Sequence, residues 1–205
     1  MVQPLGYLKE SASQTAGPYV HIGCTPNFTG IHGVYDRDLG SGPMVNKQTR
    51  GERITIRGHV IDGSGTPLKD ALVEIWQADA DGFYNSPSET RGTADPNFFG
   101  WGRCPGDMNT GEFVFETIKP GRVPFRDGRL MAPHVSFWIV ARGINLGLNT
   151  RMYFSDEEEA NAEDPILSRI EHRVRVPTLI GEREGDIVTF DIYLQGDRET
   201  IFFDI

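Results

Sequence analysis

From Glu52 onward, apolar and polar residues alternate with a period of two. Ile54, Ile56, Gly58 and Val60 fall on one side, and Arg53, Thr55, Arg57 and His59 on the other. Such alternation predicts a strand with one buried face, because successive side chains of a strand point to opposite sides. Asp62-Gly63-Ser64-Gly65 then predicts a turn. Ala71 to Gln77 is a continuous apolar run with β-branched and aromatic members, which predicts a strand buried on both faces. Glu112 to Ile118 alternates again, with Phe113, Phe115 and Thr117 on one side. His134 to Arg142 is the longest β run, and Leu148 to Phe154, Ile187 to Leu194 and Ile201 to Ile205 follow it.

Asp156 to Ile170 departs from the strand period. Its early acidic residues, Asp156 to Glu159, suit the positive end of a helix dipole, and Ala160, Ala162, Ile166 and Leu167 follow. A short helix interrupted near Pro165 is the expectation. The first fifty residues carry no clear period. Ser13 to Tyr19 reads as an extended arm with a turn at Gly17-Pro18, and much of Asn27 to Arg50 reads as loop. An arm of this kind has no core of its own and is expected to lie across another surface, another chain included. Six or more short strands, turns rich in Gly and Pro, and one minor helix predict an all-β fold. The expected architecture is a single-domain β-sandwich over residues 51–205, preceded by an N-terminal arm and loops over residues 1–50.

A chain of 205 residues is long enough for one sizeable core and short for two. Its 24 glycines and 13 prolines are dispersed, which fits many turns and not low complexity. No stretch approaches the roughly 20 apolar residues of a membrane helix, and Met1 to Glu10 lacks a basic start followed by an apolar run. A cytoplasmic protein is expected. The formal charge of −9 would repel nucleic acid, and no basic stripe offsets it. Cys24 and Cys104 stand far apart, neither in a C-x-x-C pair, so they read as two reduced thiols and not as a zinc site or a redox dithiol.

Several stretches, in order, resemble one family. Val60-Ile61-Asp62-Gly63 with Pro67, then Ala71-Leu72-Val73-Glu74-Ile75-Trp76-Gln77-Ala78-Asp79-Ala80-Asp81-Gly82, are similar to the hallmark of intradiol ring-cleaving dioxygenases. Asp95 to Arg103, Gly111 to Phe115, Thr117 to Gly121, Pro133-His134 and Thr150 to Phe154 continue the series. The arm from Ser13 to Gly23 and the ending Glu199 to Asp204 resemble, more narrowly, the α chains of the family's protocatechuate-cleaving members.

The resemblance implies non-haem Fe(III) chemistry, with two tyrosines and two histidines as ligands in the family. Hard phenolate oxygens stabilise the ferric state. In this chain the two histidine positions read His134-Val135-Ser136, the first tyrosine position is Thr90, and the second is Val123. Three of the four ligands are absent by this correspondence, so the chain is expected to bind no metal and to hold no catalytic residue. His134 alone reads as an ordinary strand histidine. The resemblance further implies that Fe(III) is held by a partner β chain, that this chain walls that partner's pocket, and that αβ units assemble into a higher oligomer. The implied reaction is oxidative cleavage of protocatechuate by O₂ between its two hydroxyl carbons.

Two features are candidates for substrate contact. One is the arm Thr15-Ala16-Gly17-Pro18, whose small residues permit close approach of backbone to an aromatic ring. The other is Arg142, which falls on the face of His134 when strand residues are counted by twos. Its guanidinium suits a ring carboxylate. Gln77, Asp79 and Asp81 are expected to make hydrogen bonds within their own loop, and Glu74 and Arg103 to form a structural pair. A stand-alone metal-free sandwich that binds a ligand is the alternative reading.

Overall fold

A computed structural model describes residues 15–204 of the chain. The alternating segment after Glu52 is β1 (Arg53–Ile61), with Ile54, Ile56 and Val60 buried and Arg53 and Arg57 exposed. β2 (Leu72–Trp76), β3 (Trp101–Pro105) and β4 (Glu112–Ile118) follow. Then come β5 (His134–Val140), β6 (Leu148–Phe154), β7 (Ile180–Glu184), β8 (Ile187–Thr189) and β9 (Ile192–Tyr193). Neighbouring strands run in the order β3-β2-β5-β6-β7-β8-β1-β4, with β9 paired to β1.

Two layers arise because β7 belongs to both. Ile180 and Gly181 pair in parallel with Tyr153 and Phe154 of β6, while Glu182 to Glu184 pair antiparallel with β8. Between the layers, Val73, Ile75, Val135, Phe137, Ile139 and Met152 of one meet Ile54, Ile56, Phe113 and Phe115 of the other. The Phe137 ring stands 5.3 Å from that of Phe190 and 6.0 Å from that of Phe113, which locks the layers face to face. Full burial of each such side chain contributes about 1.5–3 kcal/mol. The all-β class and the short helix agree with the sequence. That helix, α2 (Glu158–Glu163), stops at Asp164-Pro165, and a single 3₁₀ turn, Leu167–Arg169, resumes beyond it.

Departures from the local pattern have local causes. Ile187 to Leu194 is not one strand: β8 pairs with Thr55 to Arg57, and β9 with Val60 and Ile61. The ladder breaks where the Phe190 carbonyl approaches Gly58 so closely that a Cβ there would lie 1.9 Å from it. Asp191 Oδ1 takes the His59 N–H at 2.9 Å in place of a ladder partner. β2 is not buried on both faces throughout, since Glu74 and Trp76 are half-buried. The ending contributes one bridge, Phe203 to Asn149, and not a strand; Ile205 lies outside the described residues. Gly17-Pro18 opens α1 (Pro18–Cys24), not merely a turn, and proline suits a first helical position because its missing N–H would go unbonded there anyway. β3 and β7 were not visible in the apolar pattern.

Asn27 to Arg50 is irregular, as expected, but part of it packs on this chain's own sandwich. Met44 is buried in the core, and buried Asp38 accepts the N–H groups of Asn27 and Phe28, each at 2.8 Å. Among the described residues no helix is long and apolar enough to cross a membrane.

Candidate functional site

β2, β5 and β6 set three side chains in a row across one face of a sheet. Trp76 is the register partner of Ser136, and Ser136 that of Arg151. His134 lies two residues along β5 on the same face and faces Tyr153 of β6. From the loop after β2, Tyr84 stacks on Trp76, with ring centroids 5.8 Å apart and planes 7° apart. Trp76, Tyr84, Thr90 and Val123 line one cavity of about 490 Å³. Of the four positions that the resemblance matches to the family's ligands, Thr90 and Val123 lie on this cavity, and Ser136 and His134 lie on the strand paired with its Trp76.

The chemistry at these positions does not fit a ferric ion. His134 donates from Nδ1–H to the Ala132 carbonyl at 2.8 Å, which leaves Nε2 a buried acceptor with no partner among the described residues. Burial, and then the Arg151 charge, hold its pKa down at about 4, so the imidazole is neutral. Burial also raises the phenol pKa of both Tyr84 and Tyr153, against the phenolate form that Fe(III) prefers. What remains is one imidazole, two hydroxyls and an isopropyl group, with a guanidinium beside them that opposes any cation. Among the described residues, no cluster of three or more His, Cys, Asp or Glu is placed to hold a metal.

A second arrangement forms at the other end of β5. The strand ends at Val140, and Arg142 lies in the turn beyond it, eight residues from His134. At about 3.3 Å per residue that separation is roughly 26 Å. Counting by twos therefore misplaces Arg142: it does not share a site with His134. The structure brings it instead to the arm. Thr15 Oγ1 donates to the Ala141 carbonyl at 3.3 Å and accepts the Gly143 N–H at 2.7 Å. Arg142 Nε lies 3.0 Å from Asp70 Oδ2, with the arginine side chain 74 % exposed. Ala16, Gly17, His21, Phe28 and Asp70 line an adjoining cavity of about 370 Å³. Pro18 enters only as the first residue of α1.

The remaining candidates are structural. Gln77 donates to the Ile118 carbonyl at 2.9 Å and accepts the Thr117 hydroxyl at 2.8 Å. Asp79 accepts the N–H groups of Asp81, Phe83 and Asp95, and Asp81 pairs with Arg50 at 2.9 Å. Sequence reasoning missed His21, Asp70 and Arg151. Arg151 alone carried a signal, as a charge within the strand run from Leu148 to Phe154.

Comparison with known proteins decides the family. A family model described as Dioxygenase matches residues 24–196. The chain belongs to the intradiol dioxygenase family. Within these dioxygenases it groups with α chains: it is 42 % identical to the protocatechuate 3,4-dioxygenase alpha chain of Pseudomonas putida, covering 98 % of this chain and 99 % of that one. It is also 37 % identical to the protocatechuate 3,4-dioxygenase beta chain of Burkholderia cepacia, over 82 % of this chain and 75 % of that one. The 3-chlorocatechol 1,2-dioxygenase of Rhodococcus opacus shares the dioxygenase fold, with a TM-score of 0.57 and 22 % identity over 74 % of this chain and 62 % of that chain. The family carries non-haem iron.

Proposed function

We propose that this chain is the iron-free α subunit of a protocatechuate-cleaving dioxygenase and completes the pocket of a β chain that holds Fe(III). The iron and O₂ chemistry of ring opening resides in that partner; this chain supplies shape, charge and exclusion of water. The observation that carries the reading is the pairing of an unfit donor set at the ligand positions with a small-residue arm tied to an exposed arginine. Arg142 takes the ring carboxylate, and the backbone of Ala16, Gly17 and Pro18 passes close to the ring.

Further support comes from the surface. Tyr19, Val34, Leu39 and Phe99 are large, apolar and more than half exposed, as expected of a face covered by another chain. The arm and loops over residues 1–50, of which residues 1–14 lie outside the described residues, then pack partly on the partner. Assembly of αβ units into a higher oligomer and a cytoplasmic location belong to the same reading.

The test is iron content and protocatechuate-dependent O₂ uptake for this chain expressed alone and with a candidate β chain. Iron and activity only in the co-expressed complex are expected; iron with activity in the lone chain would overturn the reading. In the complex, Arg142→Ala removes an ionic hydrogen bond worth about 1.5–3 kcal/mol. KM for protocatechuate is expected to rise about 10-fold or more, and affinity for uncharged catechol to stay unchanged. Equal effects on both would sink the role of Arg142.

A further inference from the structure

We infer that Thr15 is a positioning residue, whose hydroxyl fixes the turn that carries Arg142 and does not itself bind the substrate. The inference rests on the reading of Arg142 as the partner of the substrate carboxylate. Arg142 follows the buried Ala141 and precedes Gly143, whose φ of +87° is a left-handed conformation that side-chain-bearing residues disfavour. Within the turn itself, the Ile144 N–H donates to the Ala141 carbonyl at 3.2 Å, and Gly143 takes the left-handed conformation.

Those local features leave the Gly143 N–H free, and a further tie comes from a distance. One hydroxyl spans the two peptide groups that flank Arg142: Thr15 Oγ1 donates to Ala141 O at 3.3 Å and accepts from Gly143 N–H at 2.7 Å. A hydroxyl has a single proton. That of Thr15 is directed at Ala141 over 3.3 Å, and the shorter bond is the one its oxygen accepts from Gly143, so the hydroxyl serves the turn. The arm also reaches the partner of the guanidinium. His21 of α1 donates from Nε2–H to the Asp70 carbonyl at 3.0 Å, and Asp70 Oδ2 lies 3.0 Å from Arg142 Nε. The arm thus holds Arg142 from both sides, through its backbone at Thr15 and through Asp70 at its side chain. Holding an otherwise exposed arginine in one orientation before substrate arrives removes an ordering cost from binding.

The experiment is a double-mutant cycle in the αβ complex. Thr15→Val keeps the shape of the side chain and removes the hydroxyl; Thr15→Ser keeps the hydroxyl. The expected result is a severalfold rise in KM for protocatechuate with Thr15→Val, rescue by Thr15→Ser, and unchanged affinity for catechol. In an Arg142→Ala background, Thr15→Val should add nothing, because the residue it positions is gone. Multiplicative effects would show an independent substrate contact and overturn the inference, as would a Thr15→Val variant that behaves as wild type. Arg142→Ala without selectivity for the carboxylate would defeat the reading of Arg142 itself. The clamp is then still decided by hydrogen exchange: faster exchange of the Gly143 amide in Thr15→Val supports it, and unchanged exchange overturns it.

Discussion

Glu74 and Arg103 are register partners on β2 and β3, and Arg103 Nε donates to Glu74 Oε1 at 2.8 Å. Both side chains are less than one-fifth exposed. The second carboxylate oxygen accepts the Trp101 indole N–H at 3.2 Å, and Arg103 Nη1 reaches the Cys24 carbonyl at 3.2 Å. The pair therefore couples the sheet edge to the end of α1. Removing one partner strands a poorly solvated charge, so Glu74→Ala is expected to lower unfolding free energy by about 2–3 kcal/mol. Urea denaturation would read this, and a loss under 0.5 kcal/mol would mean that water already screens the pair.

His134 gives the fold an acid-sensitive point. Its pKa falls from 6.5 to about 4 on folding, so below pH 6.5 the unfolded chain takes up a proton that the native one refuses. Stability should fall as pH drops from 6.5 toward 4 and this contribution should then level off. Its full extent is about 3 kcal/mol. His134→Leu should flatten that segment of the stability curve, and an unchanged slope would show that other groups set it.

Gly58 has no room for a side chain. A Cβ would stand 1.9 Å from the Phe190 carbonyl oxygen and 2.6 Å from its carbon. Relief requires pushing the segment between β8 and β9 off β1. Gly58→Ala should cost more than about 3 kcal/mol or prevent folding. Yield of soluble protein and thermal midpoint test this, and a near-neutral variant would contradict the close approach.

At the corner near β7, Arg183 binds Glu52 and, at 2.7 Å, Asp156, while Lys119 binds Asp156 at 2.8 Å. The hydrogen bond from Arg183 holds the Glu52 carboxyl below its usual range. Burial pushes Asp156 up, but Lys119 and Arg183 outweigh it and lower its pKa. Groups with lowered pKa stabilise the native state above their unfolded values, near pH 4, and lose that effect below them. Arg183→Met should therefore cost about 1 kcal/mol at neutral pH and progressively less as pH falls below about 4. A cost independent of pH would assign the loss to packing.

β1 and β4 were legible because their apolar positions alternate and each keeps one face on the core. β3 was not: Trp101-Gly102-Arg103-Cys104-Pro105 contains a glycine, a charge and a proline, and its place depends on Glu74 across the sheet. The single strand expected over residues 187–194 failed for a related reason, since the break is imposed by Gly58 of a different strand. In the candidate site, the correspondence of Thr90, Val123, His134 and Ser136 to the family's ligand positions rests on motif order alone. The place of Arg142 was not legible, because period-two counting holds only while the strand continues, and β5 stops at Val140.

The amino-acid sequence by itself determined the strand-rich class and the family, since these depend on residue identity, order and local period. Only the tertiary structure decided which distant groups meet. Thr15 and Gly143 lie 128 residues apart and share a hydrogen bond, and Trp76, Ser136 and Arg151 form one row because β5 lies between β2 and β6. Neighbours across a sheet follow from strand order and packing, which no local pattern records.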